Sequence, residues 1–451
     1  MGSGLRTTAL LALALVGFAG PARGQAGEAV EERPLTLEQA VAAAREGSVD
    51  LAVAEVERSI AAAEARKASA FLWPRVDLGS GVVRSVDPVF AFGTRLRQAR
   101  FGQADLALDA LNDPDPITDW SATADVAWGA LDPARWAGWS AARHRARSAG
   151  WGTIRTREAT ELRARSLYWS AVRAAARLEA AGASEEAARE TLELFRARQE
   201  RGLLTDADRL RAEAELDAAR ARRVDAARAR REARRRLGVL LGWESGVLPV
   251  PTDTLTVPAG YAPGEFDPAE RADLRSMAAA LEAREARVRQ ATFSFLPAID
   301  AFGQAVSHGA DVLESDGSDW TVGLQLRWTA FAGFGRWAER SRVSSAERIA
   351  RLRYEHAVRQ ARADIEIADR AVTAAAETVE AALAARRAAV TAADLMRRRF
   401  EEGLATASDL LQAEARKAEM RTRAVDALAG YRLAEARARF VRSRTDPEDL
   451  P

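Results

Sequence analysis

A helix break written twice, about two hundred residues apart, confines this chain to folds built from a repeated unit. The phrases "RARQERGLLTDADRL" at 196–210 and "RRRFEEGLATASDLL" at 397–411 each interrupt a long Ala- and Arg-rich helical run at the same kind of point. Gly202 and Gly403 suit the left-handed position just past a helix end, and Thr205 and Thr406 suit the N-cap of the next helix. Asp208 and Asp409 follow three residues on, as in a capping box, and Ala405 and Leu410 fit a hydrophobic staple in the second copy. Each phrase predicts a tight turn between two antiparallel helices.

The rest of the chain repeats around these turns. It divides near 241–266, where Pro, Gly and Thr replace Ala and Arg and no helix can run through. A helical opening at 35–74 corresponds to another at 266–297, and Pro74 and Pro297 stop these helices and start β-like runs. "WSATADVAW" at 120–128 matches "WTVGLQLRW" at 320–328, each bounded by tryptophan. Alternate positions put Trp120, Ala122, Ala124, Val126 and Trp128 on one face against Ser121, Thr123 and Asp125. The second run puts Trp320, Val322, Leu324, Leu326 and Trp328 against Thr321, Gln325 and Arg327.

Eight residues at about 3.3 Å each separate the paired tryptophans by roughly 26 Å, or about 20 Å vertically at a tilt near 40°. That is close to the height of the apolar band of an outer-membrane barrel, which carries aromatic girdles at both edges. The partner strands are expected after Pro74 ("RVDLGSGVV") and Pro297 ("AIDAFGQAV"). Four strands cannot close a barrel in lipid, since the smallest barrels have eight and open edges are not tolerated. Several chains are needed: two would supply eight strands and three would supply twelve. The first hairpin also holds a long insertion at 86–119, which on such a barrel faces outward.

Beyond each strand pair a bend leads into a helical run of roughly 66 residues, about 100 Å if continuous. Such lengths imply a coiled coil or helical tube, with alanine on the less polar faces and Arg/Glu pairs over the rest. An exported coiled-coil scaffold would explain these helices but leave the Trp-bounded strands without a use. Each long helix runs out, turns and comes back, so both tips lie at one end, far from the strands.

Composition narrows the function. The first residues read as a leader, with Arg6 as the positive region, Thr8–Phe18 as the apolar stretch and small residues around Ala22–Ala26, so the mature chain is expected to be exported. No other segment is long and apolar enough to cross a bilayer as a helix. Sixty-six basic residues balance 65 acidic ones, which argues against nucleic acid as a partner. There is no cysteine, and HExxH, P-loop and GxSxG motifs are missing. His144, His308 and His356 are scattered and read as solvated residues. Neither an enzyme nor a cofactor is expected.

The duplicated order of helix, Pro-led strand pair, bend, long helix, Gly-Leu-x-x-x-x-Asp turn and return helix resembles the TolC-like outer-membrane factor (outer membrane efflux protein) family across essentially the whole mature chain. The "LTLEQAVAAA" opening, the "WP" and "LP" strand starts and "EEGLATASDLL" carry the likeness. The resemblance implies a mainly α chain with a membrane β-barrel portion. Four strands per protomer would build a trimeric twelve-stranded barrel, continued by a long α-helical periplasmic barrel. It further implies a passive exit duct for tripartite efflux or type I secretion, docking a periplasmic adaptor and an inner-membrane transporter.

On this reading residues 1–24 are the leader, 25–73 the first helices, 74–128 the first hairpin and 129–241 the first helical hairpin. Residues 242–266 are a linker, 267–296 the second-repeat helix, 297–328 the second hairpin, 329–441 the second helical hairpin and 442–451 a tail. The resemblance assigns adaptor docking to Gly202, Leu203, Leu204 and Thr205 and to Gly403, Leu404, Ala405 and Thr406. Asp409, Asp208 and Asp206 become candidates for a periplasmic constriction. Where some members have a second carboxylate three residues after the one at Asp409, this chain has Gln412. Trp120, Val126, Trp128, Trp320, Val322, Leu324, Leu326 and Trp328 are expected to meet lipid.

Overall fold

A computed structural model of the chain describes residues 31–257, 260–312 and 315–443. The expected leader and all but the first two residues of the expected tail lie outside them. Among the described residues strand β1 (Glu31–Leu35) comes first, ahead of two helices, α1 (Leu37–Gly47) and α2 (Val49–Ala68). Thr36 and Gln39 form a reciprocal capping box on α1, and the Ser48 hydroxyl accepts the Leu51 amide to start α2, so the helical opening is split in two at Ser48. Pro74 then diverts the chain into β2 (Arg75–Ser85).

The segment expected as a long loop contains helices α3 (Pro88–Arg97) and α4 (Leu108–Asn112) before β3 (Ile117–Leu131), which reaches three residues beyond the Trp-bounded run at each end. Asp132 caps α5 (Pro133–Gln199) through the Ala134 and Arg135 amides, with Pro133 in the first turn. The chain returns in α6 (Asp206–Leu240) and crosses the linker as β4 (Val247–Pro251). The second half follows the same plan: α7 (Ala272–Phe293), β5 (Ala298–Gly309), β6 (Gly317–Arg327), α8 (Gly335–Glu401) and α9 (Ala407–Val441). Helices α5 and α8 have 67 residues each and α6 and α9 have 35.

The helices form one layer four columns wide. Helix α5 is interior, with α2 and α6 end to end on one side and α7 and α9 end to end on the other; α8 packs beyond α7 and α9. Alanine makes this layering possible, because small side chains let the axes approach: Ala141, Ala164, Ala171 and Ala174 on α5 are all buried. The Arg177 guanidinium spans α5 to α9 by a bidentate pair with Asp426, at 2.7 and 2.6 Å.

Strands β1 and β4, which pair in parallel, are an addition to the expected plan. They lie midway along the helical layer, where Tyr168 joins them: its hydroxyl donates to the Leu35 carbonyl (3.0 Å) and to the Asp253 carboxylate. Burial, with Asp253 beside it, pushes this hydroxyl up to about 12, so it stays a neutral donor. The other half reverses the pair. Asp369 lies as far before Gly403 as Tyr168 lies before Gly202, and it accepts from the linker residue Tyr261 at 2.7 Å. The two repeats thus grip one linker at equivalent heights.

The four long strands form an antiparallel sheet in the order β2-β3-β5-β6. Its register sorts side chains cleanly. Val76 pairs with Val126, Leu78 with Ala124 and Val82 with Trp120. Val126 then faces Gly303, which faces Val322, and Ala305 faces Trp320. The opposite face carries a polar row across all four strands, Asp77, Asp125, Gln304 and Thr321. Opposed carboxylates would repel; Gln304 donates to Asp125 (2.8 Å) and Arg75 to Asp77 (2.7 Å).

Candidate functional site at the hairpin tips and on the sheet

Each tip is built by the same two devices. Gly202 (φ 74°) and Gly403 (φ 76°) take the left-handed conformation that other residues adopt at a cost. Their amides reach back to the Gln199 and Phe400 carbonyls, and the Leu203 and Leu404 amides to Arg198 and Arg399, which is a Schellman closure in both copies. The returning helices start with a full capping box. Thr205 Oγ1 accepts the Asp208 amide (3.2 Å) and donates to its carboxylate (2.7 Å), and Thr406 and Asp409 repeat both distances.

The two tips pack as one body. Phe195 and Phe400 meet with ring centroids 5.1 Å apart, enclosed by Leu192, Leu216, Leu410 and Ala407. Leu204 and Ala405 are half-buried against this cluster. Leu203 and Leu404 point away from it and are 65% and 64% exposed, so the duplicated turns present a matched pair of leucines. The Arg198 guanidinium donates to the Glu401 carbonyl and lies 4.7 Å from the Phe400 ring centre, tying one turn to the other. Neither phenylalanine was a sequence candidate, because the two stand at non-equivalent places relative to their glycines and the repeat does not announce them.

The candidate constriction residues do local work here. Asp208 and Asp409 are both engaged by their own threonines; Asp206 accepts from Gln199; Gln412 has only a 3.5 Å contact with Ser408. The Thr406 hydroxyl and amide hold the Asp409 carboxyl below its ordinary value of 3.8. A depressed carboxyl favours the folded tip above that value and loses its contribution as pH falls through the lower, folded one. Thr406→Ala removes both contacts and should therefore loosen the start of α9 at neutral pH. The first turn of α9 should exchange its amides faster, and the difference from the parent should shrink on acidification well below pH 3.8. Equal exchange at neutral pH would show that the box is dispensable.

On the sheet, Val322, Leu324 and Leu326 are among the most exposed apolar side chains, at 69%, 78% and 65%. Trp320 and Trp328 flank them and are also exposed, Val126 and Trp128 are less so, and Trp120 is half-buried. At the helical end the indole N–H of Trp128 donates to the Leu72 carbonyl (3.2 Å) and that of Trp328 to Phe295 (3.1 Å). Each acceptor lies two residues before the strand-starting proline. An amphipathic ring with its polar edge held and its body exposed suits a membrane interface. Trp73, Phe331, Phe334 and Trp337 are exposed at the same end of the sheet.

Two of the three histidines depart from expectation, while His356 is exposed on α8. His308 is buried, with Nδ1 2.9 Å from the Asp119 carboxylate, and His144 lies 2.7 Å from Glu282. Among the described residues no cluster of His, Asp or Glu could hold a metal, and no helix is long and apolar enough to cross a membrane.

A family profile described as outer membrane efflux protein matches residues 40–243 and 268–441, one stretch for each repeat. A sequence search of curated proteins finds no match. Solved structures share the fold at low identity. A membrane protein from Pseudomonas aeruginosa is 19% identical, with a TM-score of 0.78 over 90% of this chain and 89% of its own. The outer membrane protein VceC of Vibrio cholerae is 17% identical, with 0.76 over 90% and 96%. The MtrE outer membrane channel of Neisseria gonorrhoeae, in its open state, is 20% identical, with 0.70 over 90% and 88%.

Proposed function

Because the chain belongs to the outer membrane efflux protein family, we propose that three copies close into one duct: a twelve-stranded barrel in the lipid, continued by a helical tunnel through the periplasm. The chain is placed in the outer membrane and extends into the periplasm. The observation that carries the proposal is a pair of open edges at both levels. Among the described residues, strands β2 and β6 each lack a partner on one side, and so do the helical columns α2/α6 and α8.

An open sheet edge cannot face hydrocarbon, since every unpaired amide and carbonyl there costs several kcal/mol. Different surfaces at the two edges make a head-to-tail contact, which closes as a ring. Helix α2 offers Val49, Val53, Val56 and Ile60 as an uncovered stripe at coiled-coil spacing, and α8 exposes Ile349, Leu352, Ile367 and Leu395. The same closure turns the apolar sheet face to lipid and the Asp77–Thr321 row to a wet lumen. A periplasmic scaffold would have no use for the exposed Trp320, Leu324 and Leu326 of β6 or for Trp328 just beyond it.

The duct is passive, with energy and substrate choice supplied by an inner-membrane transporter and a periplasmic adaptor. Gly202, Leu203, Leu204 and Thr205 with Gly403, Leu404, Ala405 and Thr406 form the docking end, with Leu203 and Leu404 inserting into apolar grooves of the adaptor. Rings of Asp208 and Asp409, one residue of each from every copy, narrow the periplasmic entrance. Leu404→Asp or Gly403→Arg should abolish drug, metal or polypeptide export in the native host while leaving the oligomer intact. Full export by both variants would remove the docking role, and failure to assemble would limit these residues to folding.

A further inference from the structure

Helix α3 sits at the end of the sheet opposite the tunnel, because β2 runs out to it from Pro74 and β3 returns from it towards α5. It lies on the polar face. The Gln98 amide nitrogen donates to the Thr118 and Gly309 carbonyls (2.9 and 3.1 Å) and to the Asp119 carboxylate (3.0 Å), while His308 holds the other oxygen of Asp119. Asp119 and His308 both belong to the face of Ser121 and Asp125, by the register of β3 with β5. At Gly317, on β6, a Cβ would collide with the Arg97 carbonyl oxygen, so the end of α3 is pressed onto the wall.

The helix is two-sided. Ala91, Thr94 and Gln98 face the sheet and are at most 1% exposed. Val89, Phe92 and Leu96, spaced three and four residues apart, occupy the opposite side; Val89 and Leu96 are uncovered, and Phe92, 37% exposed, meets the Phe101 ring edge-on on one flank. An apolar stripe aimed into a water-filled lumen is unfavourable unless something covers it. We propose that α3 is an exit plug: the three copies meet on the channel axis through Val89, Phe92 and Leu96 and close the outer mouth.

This inference rests on the three-chain barrel, and the dimensions support it. Twelve strands about 4.8 Å apart, tilted about 40°, enclose a cylinder roughly 24 Å across. Three helices about 10 Å wide, packed around one axis, span roughly 22 Å. Three copies of α3 therefore fill the mouth, and the Gln98–Asp119–His308 anchor holds each helix to its own wall. The contact excludes water and ions as hydrophobic constrictions do.

The absence of cysteine from the chain permits a direct test. In outer membranes treated with a mild oxidant, Leu96→Cys should give disulfide-linked pairs of protomers, since facing positions on packed helices come within bonding reach. Thr321→Cys, on the lumen wall, should give none. In planar bilayers, purified trimers with Leu96→Asp should conduct where the parent stays largely closed. Intact trimers without Leu96 cross-links, or with unchanged conductance in Leu96→Asp, would overturn the plug. If native mass shows no trimer, the barrel reading fails, and the plug with it.

Discussion

Leu324→Arg is expected to remove the protein from the outer membrane. Leu324 lies midway between Trp320 and Trp328 on edge strand β6 and is 78% exposed in the single chain. At the midplane of a barrel an arginine on the lipid face costs roughly 2–4 kcal/mol, and a trimer carries the penalty three times. The lumen face gives the control. Gln325→Arg places the same charge one residue along, on the polar face beside Asp300, its cross-strand neighbour. The outer-membrane fraction should hold little Leu324→Arg protein and normal amounts of Gln325→Arg. Equal insertion of both would mean that this face does not meet lipid.

Phe400→Ala should be the most disruptive change at the tips. The ring is 2% exposed, stacks on Phe195 and receives the Arg198 guanidinium, so truncation leaves a cavity where the two tips pack on each other. Losses of about 3–5 kcal/mol accompany such truncations. The damage should stay local, because the linker region has its own clusters around Tyr168 and around Val372 and Tyr431. Amides of residues 200–210 and 401–411 should exchange much faster, export should fall sharply, and the oligomer should persist. Normal export with a frayed tip would show that the adaptor does not require this order.

Much of the fold was legible because it is local and stated twice. The turn glycines, the capping threonines and aspartates, the prolines before β2 and β5, and the alternation in the Trp-bounded strands each follow from a few neighbouring residues, and repetition makes them conspicuous. What was hidden depends on distant partners. Strands β1 and β4 pair across more than two hundred residues and are only five residues long each, too short for any periodicity. The Phe195–Phe400 contact joins non-equivalent positions of the two repeats. Buried His308 looked like a loop histidine because its nearest partner, Asp119, comes from the other hairpin.

The candidate site divides the same way. Thr205, Asp208, Thr406 and Asp409 could be assigned as caps from spacing alone, and the structure places them so. The proposed ring of aspartates would be a property of three chains, which no single repeat can express. The extended strand β3 and the helices inside the first insertion also escaped sequence reading, since α3 follows its own short amphipathic pattern within a stretch rich in Asp and Pro.

The most direct test is the native mass of the protein extracted in mild detergent from the outer-membrane fraction. Three chains per particle are predicted, because four strands and four helical columns with unlike open edges close only in company. A monomer, or recovery solely from the soluble periplasm, would leave the edges of β2 and β6 unpaired in lipid and contradict the duct.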